Sequence, residues 1–204
     1  MPFKICTTKI LRLYISRITR TMASKSSNNI LVDTMGHITT IGINRPEKRN
    51  CLDQSTVASI RTAIEDFEND KGSMVAVLYG TGGNFCSGID LDELANLENS
   101  SEINSLSANG FMGLSQKYVK KPMVAAISGY AVAGGLELAL MCDLRVMEDT
   151  AVVGLYGRRF GVPLTDGGTV RLQAVVGLSR ALDMILTGRS LTGKEAFEWG
   201  WLTD

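Results

Sequence analysis

The sequence predicts one α/β domain built on a parallel sheet, and three observations carry that reading. Short continuous apolar runs, MVAVLYG at 74–80, MVAAISG at 123–129 and CDLRVM at 142–147, have the length and unbroken apolarity of strands buried on both faces. Stretches of helical period alternate with them, the arrangement that produces right-handed crossovers. The chain has 204 residues, 45% hydrophobic and 21% charged. That suits one domain with its own core and excludes collagen, a disordered chain and a disulfide scaffold.

The elements follow in order. ILVDT and HITTIGIN flank Met35-Gly36 and predict a hairpin that ends at Arg45-Pro46. Asp53 is placed to cap a helix over 54–70, where Val57, Ile60, Ile64 and Phe67 recur at spacings of three and four. The strand at 74–80 runs into the glycine-rich turn TGGNFCSG at 81–88. A polar stretch from Asp90 to Lys120 follows, expected to be helical and to serve as a lid. After the strands at 123–129 and 142–147 comes AVVGLYG at 151–157, and the remainder predicts two or three short helices punctuated by Gly177, Gly188 and Gly200. Trp199, Trp201 and Leu202 are expected to form an uncovered apolar patch near the last residue.

Charge divides the chain in two. Six of the 21 basic residues precede the first acid, Asp33, so 15 basic residues face 21 acidic ones from there on. A domain of that balance does not attract nucleic acid or anionic membranes through its overall field. The acid-free, Ser/Thr-rich residues 1–29 pattern as an amphipathic transit peptide, giving an expected mitochondrial location; the alternative is a disordered extension bypassed by initiation at Met22. Arg12 and Arg17 interrupt any secretory apolar stretch, and nothing reaches transmembrane length.

Several chemistries lose support at once. Cys6, Cys51, Cys86 and Cys142 lie 35 to 56 residues apart, so no CxxC pair exists, and neither a disulfide nor a metal site is expected. GTGGNF at 80–85 has Phe85 where a dinucleotide fingerprint needs its third glycine. P-loop and GxSxG motifs are absent, and the single histidine, His37, sits in a hairpin, which disfavours a histidine-activated nucleophile. Two glycine-containing strand-to-helix turns say more: NFCSGIDL at 84–91 and SGYAVAGGLELAL at 128–140. Each offers free backbone N–H groups at a helix start. Side by side they could grip one oxyanion, as thioester chemistry requires; read otherwise, they are only well-packed turns.

NRPEKRNCLD at 44–53, FCSGIDL at 85–91, KPMVAAISGYAVAGGLELALMCDLRV at 121–146, GGTVRL at 167–172 and LTGRSLTGKEAFEWG at 186–200 resemble, in order and register, the signature blocks of the crotonase superfamily, which includes enoyl-CoA hydratases and isomerases. The resemblance implies a crotonase-like ββα superhelix over residues 30–204, with the C-terminal helical region incomplete and the usual last helices missing. It implies a coenzyme A thioester as substrate, no metal or redox cofactor, and, for a full-length form, a homo-oligomer, trimer or hexamer, without nucleic acid or membrane partners. It places oxyanion donors at the N–H groups of Ile89 and Gly134, an acid/base at Glu137, and coenzyme A contacts at Lys48, Arg49, Ser87, Gly88 and Asp90.

Two departures stand out. Where hydratases carry a second glutamate this chain has Gly157, followed by Arg158 and Arg159; a Gly157→Glu change would restore hydration if the backbone there accepts a side chain. Asp166, just before GGTVRL, is expected either to supply the missing carboxylate or to cap the next helix. A catalytically impaired, CoA-binding or assembly-modifying protein is the alternative to an active enzyme.

Overall fold

The computed structural model describes residues 29–96, 111–114 and 118–202. β1 (Ile30–Met35) and β2 (Ile38–Ile43) form the antiparallel hairpin, turning at Gly36-His37. A single 3-10 turn at Pro46–Lys48 leads to α1 (Gln54–Asn69), where the Thr56 N–H donates to the Asp53 carboxylate at 2.7 Å, the capping bond that the sequence placed there. Val57, Ile60, Ala63, Ile64 and Phe67 are the buried stripe of α1, which lies against the hairpin. β3 (Val75–Gly80) is followed by the short α2 (Leu91–Ala95). The rest of the expected helical lid falls mainly on residues 97–110 and 115–117, outside the described residues.

β4 (Met123–Ile127) joins the first sheet, and β5 (Tyr130–Val132) begins a second one after a tight turn at Ser128-Gly129. α3 (Gly134–Met141) has every residue from 134 to 140 buried, as expected of a helix apolar on all sides apart from Glu137. β6 (Leu144–Met147), β7 (Val152–Gly154) and the one-turn α4 (Gly157–Phe160) follow. Then come α5 (Gly168–Val176), α6 (Leu178–Thr187), β8 (Ser190–Thr192) and α7 (Gly193–Glu198). The first sheet runs β1-β2-β3-β4-β6, parallel from β2 onward, and the second runs β5-β7-β8, with β5 and β7 parallel. The predicted α/β class and the glycine-punctuated helices are therefore present.

The aromatic patch near the last residue is a correction. Trp201 is only 1% exposed and belongs to the main core, with Trp199 and Leu202 packed against it. The reason is Arg145 on β6: its Nε donates to the Trp201 carbonyl at 3.0 Å, and its guanidinium lies 5.7 Å from the centre of the Trp201 ring. Among the apolar side chains that do face outward in this part of the chain are Leu178, Leu182 and Leu186, four apart on α6, with Val170 on α5 and Phe197 on α7. Helical spacing put three leucines on the face opposite Ala181 and Met184, which no pattern of tryptophans reveals.

Candidate active site

A cavity of about 750 Å3 opens between the 3-10 turn, the glycine-rich turn after β3, the start of α3 and α4. Its lining includes Lys48, Arg49, Ser87, Ile89, Asp90, Gly134 and Glu137, so seven of the nine site residues expected from the sequence meet in one place. Gly88 and Asp166 stand just behind the wall.

The two turns approach each other closely. A Cβ built on Gly134 would lie 3.6 Å from the Gly88 Cα and 3.8 Å from the Ile89 nitrogen, so the N–H groups of Ile89 and Gly134 are neighbours. The parallel bridge through Leu52 uses the Gly88 carbonyl (2.8 Å) and the Asp90 N–H (2.9 Å) and passes over the Ile89 N–H between them. Gly134 opens α3, where the first N–H groups have no intrahelical acceptor. Ala133, immediately before it, has φ 51° and ψ −126°, a positive-φ conformation that costs a non-glycine residue on the order of 1 kcal/mol or more.

Buried Asn50 fixes the glycine-rich turn against the 3-10 turn. Its Nδ2 donates to the carbonyls of Thr81 (2.8 Å) and Asn84 (2.6 Å), and its Oδ1 accepts the Arg45 N–H (2.8 Å). Asp90 is buried beside Arg45 (2.9 Å) and Lys48 (3.1 Å). Burial acts to raise its pKa, but the bonds from those two cations outweigh that and hold it at about 2. Lys48 also reaches Asp92 at 3.2 Å, while the Arg49 guanidinium lies 5.7 Å from the centre of the Tyr130 ring.

Glu137 is 3% exposed, and burial pushes its pKa up to about 7, the nearby Asp166 charge adding to the rise. Opposing that, its Oε1 accepts the N–H groups of Gly168 (2.9 Å) and Asp166 (3.0 Å). Gly168 has to be glycine for this contact, because a Cβ there would lie 2.9 Å from Oε1. Asp166 caps no helix, since Gly167 occupies the N-cap of α5; this corrects the capping expectation. Its carboxylate accepts the Met112 N–H (3.0 Å) and the Thr165 hydroxyl (3.1 Å), and burial raises its pKa. Its side chain is committed behind Glu137, not on the cavity wall.

Sequence reasoning did not single out Tyr130, Phe160, Val162, Pro163 and Leu164 as cavity residues, and it noted Arg159 only as following the Gly157 departure. The GVPL stretch carries no chemical signal, and only its folded position beside the cavity makes it a wall. Cys51, Cys86 and Cys142 are unpaired and buried, burial pushing the last two up to about 12; Cys6 lies outside the described residues. Among the described residues no group of three or more His, Cys, Asp or Glu could hold a metal ion, and no helix is long and apolar enough to cross a membrane.

Two abutting glycine-bearing turns and a buried carboxylate lining one cavity, on a parallel sheet with a second small sheet beside it, are the arrangement of a protein of the crotonase fold. Enoyl-CoA hydratase subunit I of Geobacillus kaustophilus shares that fold at a TM-score of 0.78 and 36% identity, over 86% of this chain and 67% of that one. The family model for enoyl-CoA hydratase/isomerase matches residues 33–204, and the chain belongs to that family. A mevalonyl-coenzyme A hydratase of Aspergillus fumigatus is 36% identical over 164 residues, which is 80% of this chain and 61% of the relative. A short-chain-enoyl-CoA hydratase of Clostridium acetobutylicum is 31% identical over 85% of this chain and 67% of the relative. The match thus spans between 61% and 67% of the length of these two relatives.

Proposed function

We propose that the chain binds enoyl-CoA thioesters and shifts their double bond, with Glu137 carrying the proton. The observation behind this reading is the buried Glu137 carboxylate on the cavity wall, where burial pushes it up to about 7, while Gly157, where the family resemblance puts a partner carboxylate, has no side chain. Hydration needs one group to deprotonate water and another to deliver a proton to carbon. A double-bond shift needs only one group, which takes a proton and returns it.

In that reaction the Glu137 carboxylate removes a proton from C2 of a 3-enoyl thioester. The electron pair moves onto the thioester oxygen, held by the N–H groups of Ile89 and Gly134, and the proton returns to C4 as the 2-enoyl ester forms. Each such donor is worth about 3 kcal/mol of transition-state stabilisation. Lys48 and Arg49 on the rim would meet the coenzyme A phosphates, with Ser87 and Asp90 alongside and Gly88 packed beneath Gly134. Asp166 is assigned the task of holding Glu137 through its N–H, not of moving a proton. The reaction as written uses no metal or redox group.

Assays of 3-enoyl-CoA isomerisation and crotonyl-CoA hydration on the same preparation test this reading. Isomerisation should dominate, with weak or no hydration. Hydration faster than isomerisation would overturn it, and binding of both esters without turnover would make the chain a CoA-binding protein. Sedimentation velocity on that sample tests for a homo-oligomer, trimer or hexamer; the outward leucines of α6 offer an apolar face for self-association.

The basic, acid-free residues 1–29 support mitochondrial import. A Dictyostelium discoideum relative, 32% identical over 165 residues, bears the name probable enoyl-CoA hydratase, mitochondrial. A reporter fused to residues 1–29 should enter mitochondria and be cleaved; cytosolic retention of the fusion would defeat the proposal.

A further inference from the structure

Arg159 belongs to the cavity wall beside Phe160, Val162, Pro163 and Leu164, and the structure holds its side chain in place. Its stem runs over Gly188, where a Cβ would come within 3.5 Å of its Cγ and 3.6 Å of its Nε. Its guanidinium stacks 4.1 Å from the centre of the Tyr156 ring. That ring is seated in turn. A Cβ on Gly154 would fall 2.5 Å from the Tyr156 Cε1, so glycine is what lets the ring lie against β7, and the Tyr156 hydroxyl hydrogen-bonds the Ser190 Oγ at 2.6 Å.

Two glycines, an aromatic face and a hydroxyl thus position one cation. Among the described residues no carboxylate pairs with it, whereas Arg45, Lys48 and Arg189 each have two acids within ion-pair distance. Stacking occupies the face of a guanidinium and leaves its edge, with its fork of N–H donors, able to take a carboxylate in bidentate fashion. Its near neighbours in the wall are apolar, the surroundings of an acyl chain and not of a phosphate.

We propose that Arg159 recognises a carboxylate at the distal end of the acyl group, so that this chain takes CoA thioesters of dicarboxylic acids. The inference rests on the acyl-CoA reading above and narrows its substrate class. It also accounts for a cation set beside the apolar wall residues Phe160, Val162, Pro163 and Leu164.

The test is calorimetric binding of chain-length-matched saturated esters, which needs no turnover: succinyl-, glutaryl- and adipyl-CoA against butyryl-, pentanoyl- and hexanoyl-CoA. At the length that reaches Arg159, the carboxylated ester should bind about 10–100-fold tighter than its partner, the range of a charge-assisted bidentate pair. Arg159→Met keeps the stem over Gly188 and should erase that preference while leaving the uncharged esters unchanged; Arg159→Lys should retain part of it. Equal binding of the two series by the wild type, or equal weakening of both by Arg159→Met, would overturn the inference and leave the acyl-CoA reading standing. Failure of every ester to bind would overturn both.

Discussion

Replacing Glu137 by Gln should lower turnover of enoyl-CoA esters about 10²–10⁴-fold while leaving their binding within a fewfold of wild type, because the substitution removes the titrating group and keeps the shape. A glutamine Oε1 can still accept the N–H groups of Asp166 and Gly168, and the oxyanion donors proposed above are backbone groups of Ile89 and Gly134 that the substitution does not touch. Since the carboxylate must begin ionised to take a C2 proton, the wild-type rate should rise with pH through about 7, the value to which burial pushes Glu137. Stability should move the opposite way. Between the ordinary glutamate value and about 7 the folded chain holds a proton that the unfolded chain has released, so stability falls as pH rises through that window. Glu137→Gln escapes this loss and should exceed wild type at pH 8 by on the order of 2 kcal/mol, with the gap closing near pH 4. Rate and thermal melts across pH 4–9 check both parts, and a stability difference that does not change with pH would contradict the assignment.

Gly157→Glu should unfold the chain before it adds any hydratase activity. The sequence left open whether the backbone there accepts a side chain, and the geometry answers against it. A Cβ on Gly157 would overlap the Val162 carbonyl oxygen, while the Gly157 carbonyl accepts the N–H groups of Gly161 and, at 2.9 Å, Val162. The α4 turn is closed on that residue from both sides. Overpacking of this kind costs about 1–3 kcal/mol, and a carboxylate placed at a buried position without a partner adds to it. Chemical denaturation should show a loss of at least about 3 kcal/mol, with crotonyl-CoA hydration no faster than wild type. A folded variant that hydrates crotonyl-CoA would show that α4 opens to admit the side chain.

Much of this was legible in the residues because it is local. Strands at 75–80 and 123–127 announce themselves by unbroken apolarity, α1 by its stripe from Val57 to Phe67 and its cap at Asp53, and α3 by a run of small and aliphatic residues interrupted only by Glu137. These signals need no knowledge of partners. Asp166 shows where that kind of reading stops. A carboxylate just before a glycine-led helix reads as a cap or a spare acid, yet its side chain turns to the Met112 N–H, more than fifty residues earlier in the chain.

The sequence by itself determined the α/β class, the order of the elements and the two glycine-bearing turns, since each depends on neighbours along the chain, and it left Glu137 and Asp166 as the two candidate acids. Tertiary structure alone decided that the two turns abut, that Trp201 is covered by Arg145, that Asp166 stands behind Glu137, and that Arg159 lies over Tyr156 with no acid paired to it among the described residues. The physical reason is the same in each case. Burial, the pKa it sets and the pairing of charges depend on which distant segments pack together, and spacing along the chain does not encode that.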